Sequence, residues 1–445
     1  MTALAEAIAA AFPGVRADLE SLVRIPSVSA DGPNTPPMRE CAERVRALLE
    51  DAGLATRLFE VPGAPAAVFG ERRGPEGALT VLLYAHYDVQ PAGDLEAWGT
   101  PPFEPTDRDG RLYGRGASDD KAGLATHLGA LRVLPADLPL TVKVVVEGEE
   151  ELGSPHAADL LARYAEELAA DVIVVADSEQ WAVGTPALTT SLRGLVDCVV
   201  EVRTLRNGVH SGQFGGALPD ALSALARLLA TLHDDRGRVA VAGLVSAPVP
   251  NVEVAEAELR ASAGAVDGVE LIGDGPIAAR LWREPAVSVL AIDAPRLSEA
   301  INQLVPVARA KVSLRLAPGQ DPAAAMDALV AHLEGHAPWG ASVTVTRGSS
   351  AEPFLMAAGG AAYEAFRAGL TAAWGVEPAE IGVGGSIPLV AALSHAYPGA
   401  AILLTGVGEP TSAIHGPNES QDLRELERAC LAEAVALMRL AGREA

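Results

Sequence analysis

Cysteine, aromatic side chains and positive charge are all scarce in this chain of 445 residues. Its three cysteines, Cys41, Cys198 and Cys430, are widely spaced and odd in number. They form no Cys-x-x-Cys pair, which excludes a disulfide framework and favours a reducing cytoplasm. Aromatics make up only 4%, so Ala, Val and Leu must supply the core, within a hydrophobic content of 49% that is ordinary for a folded soluble protein. Lys and Arg number 34 against 58 Asp and Glu, a net charge of −24. That balance argues against nucleic acid or an anionic membrane as partner. No stretch approaches the roughly 18 apolar residues of a membrane span. The start, Met1-Thr2-Ala3-Leu4-Ala5-Glu6, lacks a basic region, and its Ala-rich stretch reads as an amphipathic helix rather than a signal peptide.

What the chain does have is a run of apolar β-type residues, Val81-Leu82-Leu83-Tyr84-Ala85, that ends in His86-Tyr87-Asp88. On a strand, residues i and i+2 face the same side. Asp88 can therefore reach one ring nitrogen of His86 and leave the other for a metal, an arrangement that fixes the tautomer and strengthens the ligand.

The length predicts two domains. Helical patterns at about 38–52, 121–134 and 155–169 alternate with the strand ending at His86, with Leu140–Val146 and with Val172–Ala176. Ser154-Pro155 has the chemistry of an N-cap and first helical residue. Continuous apolar strands between helices signal a mainly parallel sheet covered on both faces. From about residue 190 the pattern changes. Leu195–Val202, Ala308–Leu316 and Ser342–Thr346 alternate in part, with helical stretches at about 219–232 and 321–334 between them. After about residue 355 the first style returns, with a helix near 360–373, the strand Ala401–Leu404 and a helix near 421–440. The expected fold is α/β, a mainly parallel-sheet catalytic domain over 1–186 and 351–445, interrupted at 187–350 by a smaller α+β domain. The Gly/Pro/Ala-rich stretch around 240–278 is expected to be irregular.

Four further motifs lie past strand ends, where open α/β sheets bind ligands. They are Gly114-Arg115-Gly116-Ala117-Ser118-Asp119-Asp120-Lys121, Glu147-Gly148-Glu149-Glu150-Glu151-Leu152-Gly153-Ser154, Asp177, and Ala413-Ile414-His415-Gly416-Pro417-Asn418-Glu419. Singly, each has an ordinary explanation as a cap, a solvated face or a loop residue. As an ordered set with His86-x-Asp88 they point to a metal centre. Two histidines with carboxylates and no nearby thiolate suit zinc, cobalt or manganese. Two metals sharing a carboxylate could activate a water and polarise a carbonyl, and that chemistry also needs a free carboxylate as base.

The ordered set resembles the M20 family of co-catalytic metallopeptidases, and within it the cytosolic nonspecific dipeptidase and carnosinase branch. The likeness extends to His210-Ser211-Gly212, Ser313-Leu314-Arg315-Leu316 and Gly384-Gly385-Ser386-Ile387-Pro388. It implies two divalent cations, zinc by family expectation. His86 and Asp177 would hold one, Glu151 and His415 the other, and Asp119 would bridge them. Asp88 would orient His86, and Glu150 would move the proton. The Glu149-Glu150-Glu151 register rests on Leu152-Gly153-Ser154, which matches the family's Glu-Glu-x-Gly-Ser. His210, in the inserted lid and dimerisation domain, would stabilise the oxyanion in the neighbouring subunit's site of a homodimer. Gly385 and Ser386 would contact a small peptide substrate. One departure stands out: many dipeptidases of this kind have Arg-Glu where this chain has Gly382-Val383. The usual guanidinium clamp for a carboxylate is then missing, and Arg315 or Arg193 becomes the replacement. Peptide-bond hydrolysis of dipeptides is the leading expectation. Deacylation of N-acyl amino acids by the same site, and a non-catalytic metal-binding dimeric module, are the alternatives.

Overall fold

The computed structural model describes every residue except 1, 251, 357, 358, 386, 444 and 445, together with all side chains but that of residue 388 among the rest. The chain divides into two compact units, one of 1–190, 356–381 and 387–445, the other of 191–355 and 382–386.

The first unit is built on a mixed sheet whose strands follow in the order Ala55–Phe59, Ala67–Arg72, Leu140–Glu147, Leu79–His86, Val172–Val175, Ala401–Leu404 and Ala187–Leu192. The four central strands pair in parallel, and the outer ones are antiparallel. Val81, Leu82, Leu83, Tyr84 and Ala85 are all fully buried, as an uninterrupted apolar strand requires when both its faces are covered. The helix Lys121–Val133 packs on this strand and against Thr2–Val23 and Leu423–Leu440. His127, fully buried on that helix, ties the layers together. Its Nδ1 lies 2.9 Å from the Glu433 carboxylate and its Nε2 lies 3.0 Å from the Tyr84 carbonyl. With an acceptor at each nitrogen, the ring carries both protons.

One expected helix is corrected. In place of a continuous helix at 155–169 there are two short pieces, Ala157–Arg163 and Ala165–Leu168. Ser154 caps neither of them. Its backbone is left-handed, with φ 46°, and its hydroxyl donates to Glu147 Oε1 at 2.9 Å. The same Glu147 oxygen accepts the Tyr84 hydroxyl at 2.6 Å, and this buried carboxylate engages the Ser154 hydroxyl that would otherwise be available as a cap.

The second unit is an antiparallel sheet in the order Ala286–Asp293, Val307–Leu316, Gly194–Arg203 and Ser342–Ala351. Every second residue of Gly194–Arg203 from Val196 to Val202 is buried, the period of a strand with one face covered. The helices Ala221–Ala230 and Pro322–Gly335 cover that face with Leu225, Leu228, Met326, Leu329 and Leu333. Among the described residues of 240–278 lies the helix Glu256–Ala263, and the helix Ile277–Trp282 begins at the end of the stretch. The edge strand Ala286–Asp293 has no alternating signal, because six of its eight residues, Ser288 to Asp293, are exposed. Gly382–Gly385 belongs to this unit, where Arg193 N–H donates to the Val383 carbonyl at 3.1 Å.

Candidate metal centre

The central strand delivers His86 to its carboxyl end with the ring fully buried. Its Nδ1 lies 3.0 Å from the Asp88 carbonyl oxygen and 3.3 Å from the Asp88 carboxylate. That leaves Nε2 facing 3.0 Å to Asp119 Oδ1 and 3.9 Å to Asp177 Oδ1. On the far side of Asp119, His415 Nε2 lies 2.9 Å from Oδ2 and 3.1 Å from Glu151 Oε2. Asp119 thus presents one carboxylate oxygen to each histidine. His86, Asp119, Glu151, Asp177 and His415 come together from five separate segments of the chain.

Their neighbours fix the details. The Asp88 carboxylate accepts the N–H groups of Glu150 and Glu151, both at 3.2 Å, so it sets the Glu150–Leu152 turn as well as the His86 ring. Glu149 faces away, accepting from His156 N–H at 2.8 Å and lying 2.9 Å from His156 Nδ1. Glu151 also accepts from Gln90, through the backbone at 3.1 Å and the side-chain amide at 2.8 Å. Asp120, to which the sequence reading gave no role, joins His86 and Asp177 in one cluster of potential ligand atoms, while Asp119, Glu151 and His415 form the second. Asp120 Oδ2 accepts the His86 N–H at 3.3 Å. Gly123 is obligatory behind it, since a Cβ there would stand 2.1 Å from Asp120 Oδ1.

The electrostatics favour a cation. Burial, reinforced by neighbouring carboxylates, pushes Asp120 and Asp177 well above the usual carboxylate range. The same causes bring Glu150 to about 8 and Glu147 to about 7. Burial would raise Asp119 too, but the hydrogen bonds of His415 and His86 hold it well below. Those bonds to Asp119 and Glu151 lift His415 to about 10. Without a metal, both imidazoles face carboxylates through protonated nitrogens, and divalent cations would take the place of those protons. Two imidazoles, several carboxylates and no thiolate are a donor set that fits zinc, cobalt or manganese.

The remaining predicted site residues lie in the second unit. His210 is exposed on a two-residue strand, and its Nδ1 accepts the Gly212 N–H at 3.1 Å. Arg315 is half-buried on Val307–Leu316. Burial and the nearby Arg315 lower Arg193 to about 10. Gly385 is half-buried, and Ser386 lies outside the described residues. The Gly382 departure has a local cause, because a Cβ there would stand 2.5 Å from the Trp282 Cβ and 2.7 Å from the Ser191 Oγ.

The profile of peptidase family M20/M25/M40 matches residues 82–439. The chain belongs to this family. A cysteinylglycine-S-conjugate dipeptidase of Corynebacterium striatum is 38% identical over 406 residues, covering 90% of this chain and 89% of the relative. A Beta-Ala-His dipeptidase of Rattus norvegicus is 29% identical over 374 residues, covering 80% and 76%. The M20 fold is equally plain in solved structures. The di-peptidase Dug1p of Saccharomyces cerevisiae superposes with a TM-score of 0.80 at 22% identity, covering 99% of this chain and 98% of that one. Human carnosine dipeptidase 1 gives 0.79 at 24% identity, with the same coverage of 99% and 98%. This M20 chain also carries a supporting pair beneath its centre, Arg115 and Glu419, both buried. Both residues stand within the sequence motifs above, where their types alone assign them no task. A buried ion pair formed across 304 positions of sequence leaves no local signal.

Proposed function

We propose that the protein hydrolyses the peptide bond of dipeptides at a two-cation centre. His86, Asp177 and Asp119 hold one cation, and Asp119, Glu151 and His415 hold the other. The supporting observation is the Asp119 carboxylate facing a histidine on each side, with the free carboxylate of Glu150 on the residue before Glu151. When bound, divalent cations here polarise the scissile carbonyl and acidify water. Glu150, half-buried beside the centre, accepts the proton of the attacking water at its carboxylate and returns it to the leaving amine, the task of a general acid–base with a pKa near the working pH. Zinc is the proposed metal, with manganese or cobalt as substitutes. Arg315, Gly385 and Ser386 are proposed to hold the substrate carboxylate. The dipeptidase relatives support a dipeptide over an N-acyl amino acid. A panel of both substrate classes, assayed with and without added zinc or manganese, tests this. Turnover confined to N-acyl amino acids would overturn the dipeptide assignment, and no turnover of any amide after metal loading would leave a binding module.

The inserted unit is proposed as the lid and dimerisation domain of a homodimer. Its edge strand exposes Val289, Leu290 and Ile292 at 43%, 59% and 54%, an apolar edge of the kind that proteins cover. His210 is proposed to serve the partner's site as an oxyanion donor. Equal amounts of Glu150→Gln and His210→Ala chains, each nearly inactive alone, are expected on unfolding and refolding together to regain about a quarter of wild-type turnover, since one site in four then combines two intact contributions. No recovery, with mixed dimers verified by mass, would place His210 outside the neighbouring site. Cytoplasmic residence is proposed from the three buried free cysteines. No helix among the described residues is long and apolar enough to cross a membrane.

A further inference from the structure

The loop that carries Asp119 runs from the strand Arg111–Tyr113 to the helix Lys121–Val133 with no ladder of its own to fix it. Three of its backbone N–H groups converge instead on one side chain. Gly116 N–H donates to Glu419 Oε2 at 3.0 Å, and Ser118 and Asp119 N–H donate to Oε1 at 3.0 and 3.1 Å. Arg115 Nη1 reaches Oε2 at 2.6 Å, with the two side chains 2% and 0% exposed. The other arm of the guanidinium crosses to the second ligand loop, where Nη2 donates to the His415 carbonyl at 3.1 Å and the Pro91 carbonyl at 3.3 Å. His415 itself has a left-handed backbone, φ 61°, which a non-glycine residue holds only when its surroundings impose it.

Only a carboxylate can accept three N–H groups and a guanidinium at once. A glutamine would turn an NH₂ towards one of these donors. Burying this second negative charge behind Asp119 is costly unless it is paired, and Arg115 supplies the pair. Each end of that pair grips a different ligand-bearing loop.

We infer that Glu419, locked by Arg115, is a positioning residue that sets the spacing between Asp119 and His415 and so governs occupancy of the cation position they share. The inference rests on the proposed reading of Asp119 and His415 as ligands. Calorimetric titration with zinc of the metal-free protein tests it. The wild-type chain is expected to take up two equivalents. Glu419→Gln is expected to keep one equivalent near its original affinity and to weaken the other about 10- to 100-fold. At saturating zinc, kcat should fall with KM unchanged. Arg132→Met, which breaks a half-buried ion pair with Asp18 elsewhere in the same unit, should lower Tm without moving either zinc affinity. Folded Glu419→Gln with both affinities unchanged would overturn the inference, whatever its Tm. Should that variant not fold, Arg115→Lys decides instead. A lysine keeps the charge but cannot span both loops with one planar fork, so unchanged affinities there would equally overturn it. A wild-type chain that takes up no zinc would remove the reading of the ligands themselves, an outcome distinct from a variant that behaves as wild type.

Discussion

Glu150→Gln is expected to lower kcat by about 10²- to 10⁴-fold, the range for losing a positioned general base, while both cations stay bound. The substitution keeps the volume and removes only the ability to take a proton. Glu150 is the member of the Glu149-Glu150-Glu151 run that is left for this work. Glu149 is engaged with His156, and Glu151 lies against His415. The Glu150 N–H is anchored on Asp88, so the substitution leaves the turn in place. Metal analysis alongside steady-state kinetics separates the outcomes. A variant with near-normal kcat would assign the proton transfer to another group, and one that lost its metal would mark Glu150 as a ligand.

A larger loss is expected from Asp119→Asn, which should abolish measurable turnover and weaken both cations by at least about 100-fold, more than the usual loss of an outer partner. An asparagine offers one oxygen and one NH₂, and its NH₂ end would face a histidine nitrogen that a cation needs. Each of the other proposed ligands faces a single histidine or completes one cluster, so its replacement should mainly affect one position. Metal stoichiometry by mass spectrometry and affinity by calorimetry provide the check. Two tightly held cations per chain in Asp119→Asn would refute the shared carboxylate.

The parallel strands were readable because burial on both faces forces unbroken apolar runs such as Val81–Ala85 and Val172–Val175. The alternating strands of the inserted unit were readable for the opposite reason, since Val196, Cys198, Val200 and Val202 mark one covered face. Ala55–Phe59, Ala67–Arg72 and Ala286–Asp293 were not singled out. They lie at or next to a sheet edge, where pairing rather than side-chain pattern fixes the strand. The Ser154-Pro155 start was misread because its hydroxyl answers to Glu147, seven residues earlier. At the centre, residue types and order suggested which acids and histidines could meet. They could not show that Asp88 works through two backbone N–H groups as well as through a ring, nor that Glu419 lies behind Asp119. Those relations join distant segments and leave no spacing to read.

The two histidines differ in one respect that bears on how the centre fills and empties. The His86 ring is 0% exposed, whereas the His415 side chain is 53% exposed. A chelator or a competing ion in solution meets these positions at different speeds. The cation beside His415 should exchange first, and the one beside His86 only after its neighbour has left or the interior has opened. A preparation stripped gently would then hold singly loaded chains, with the deep position filled and the outer one open to whichever divalent ion the medium provides.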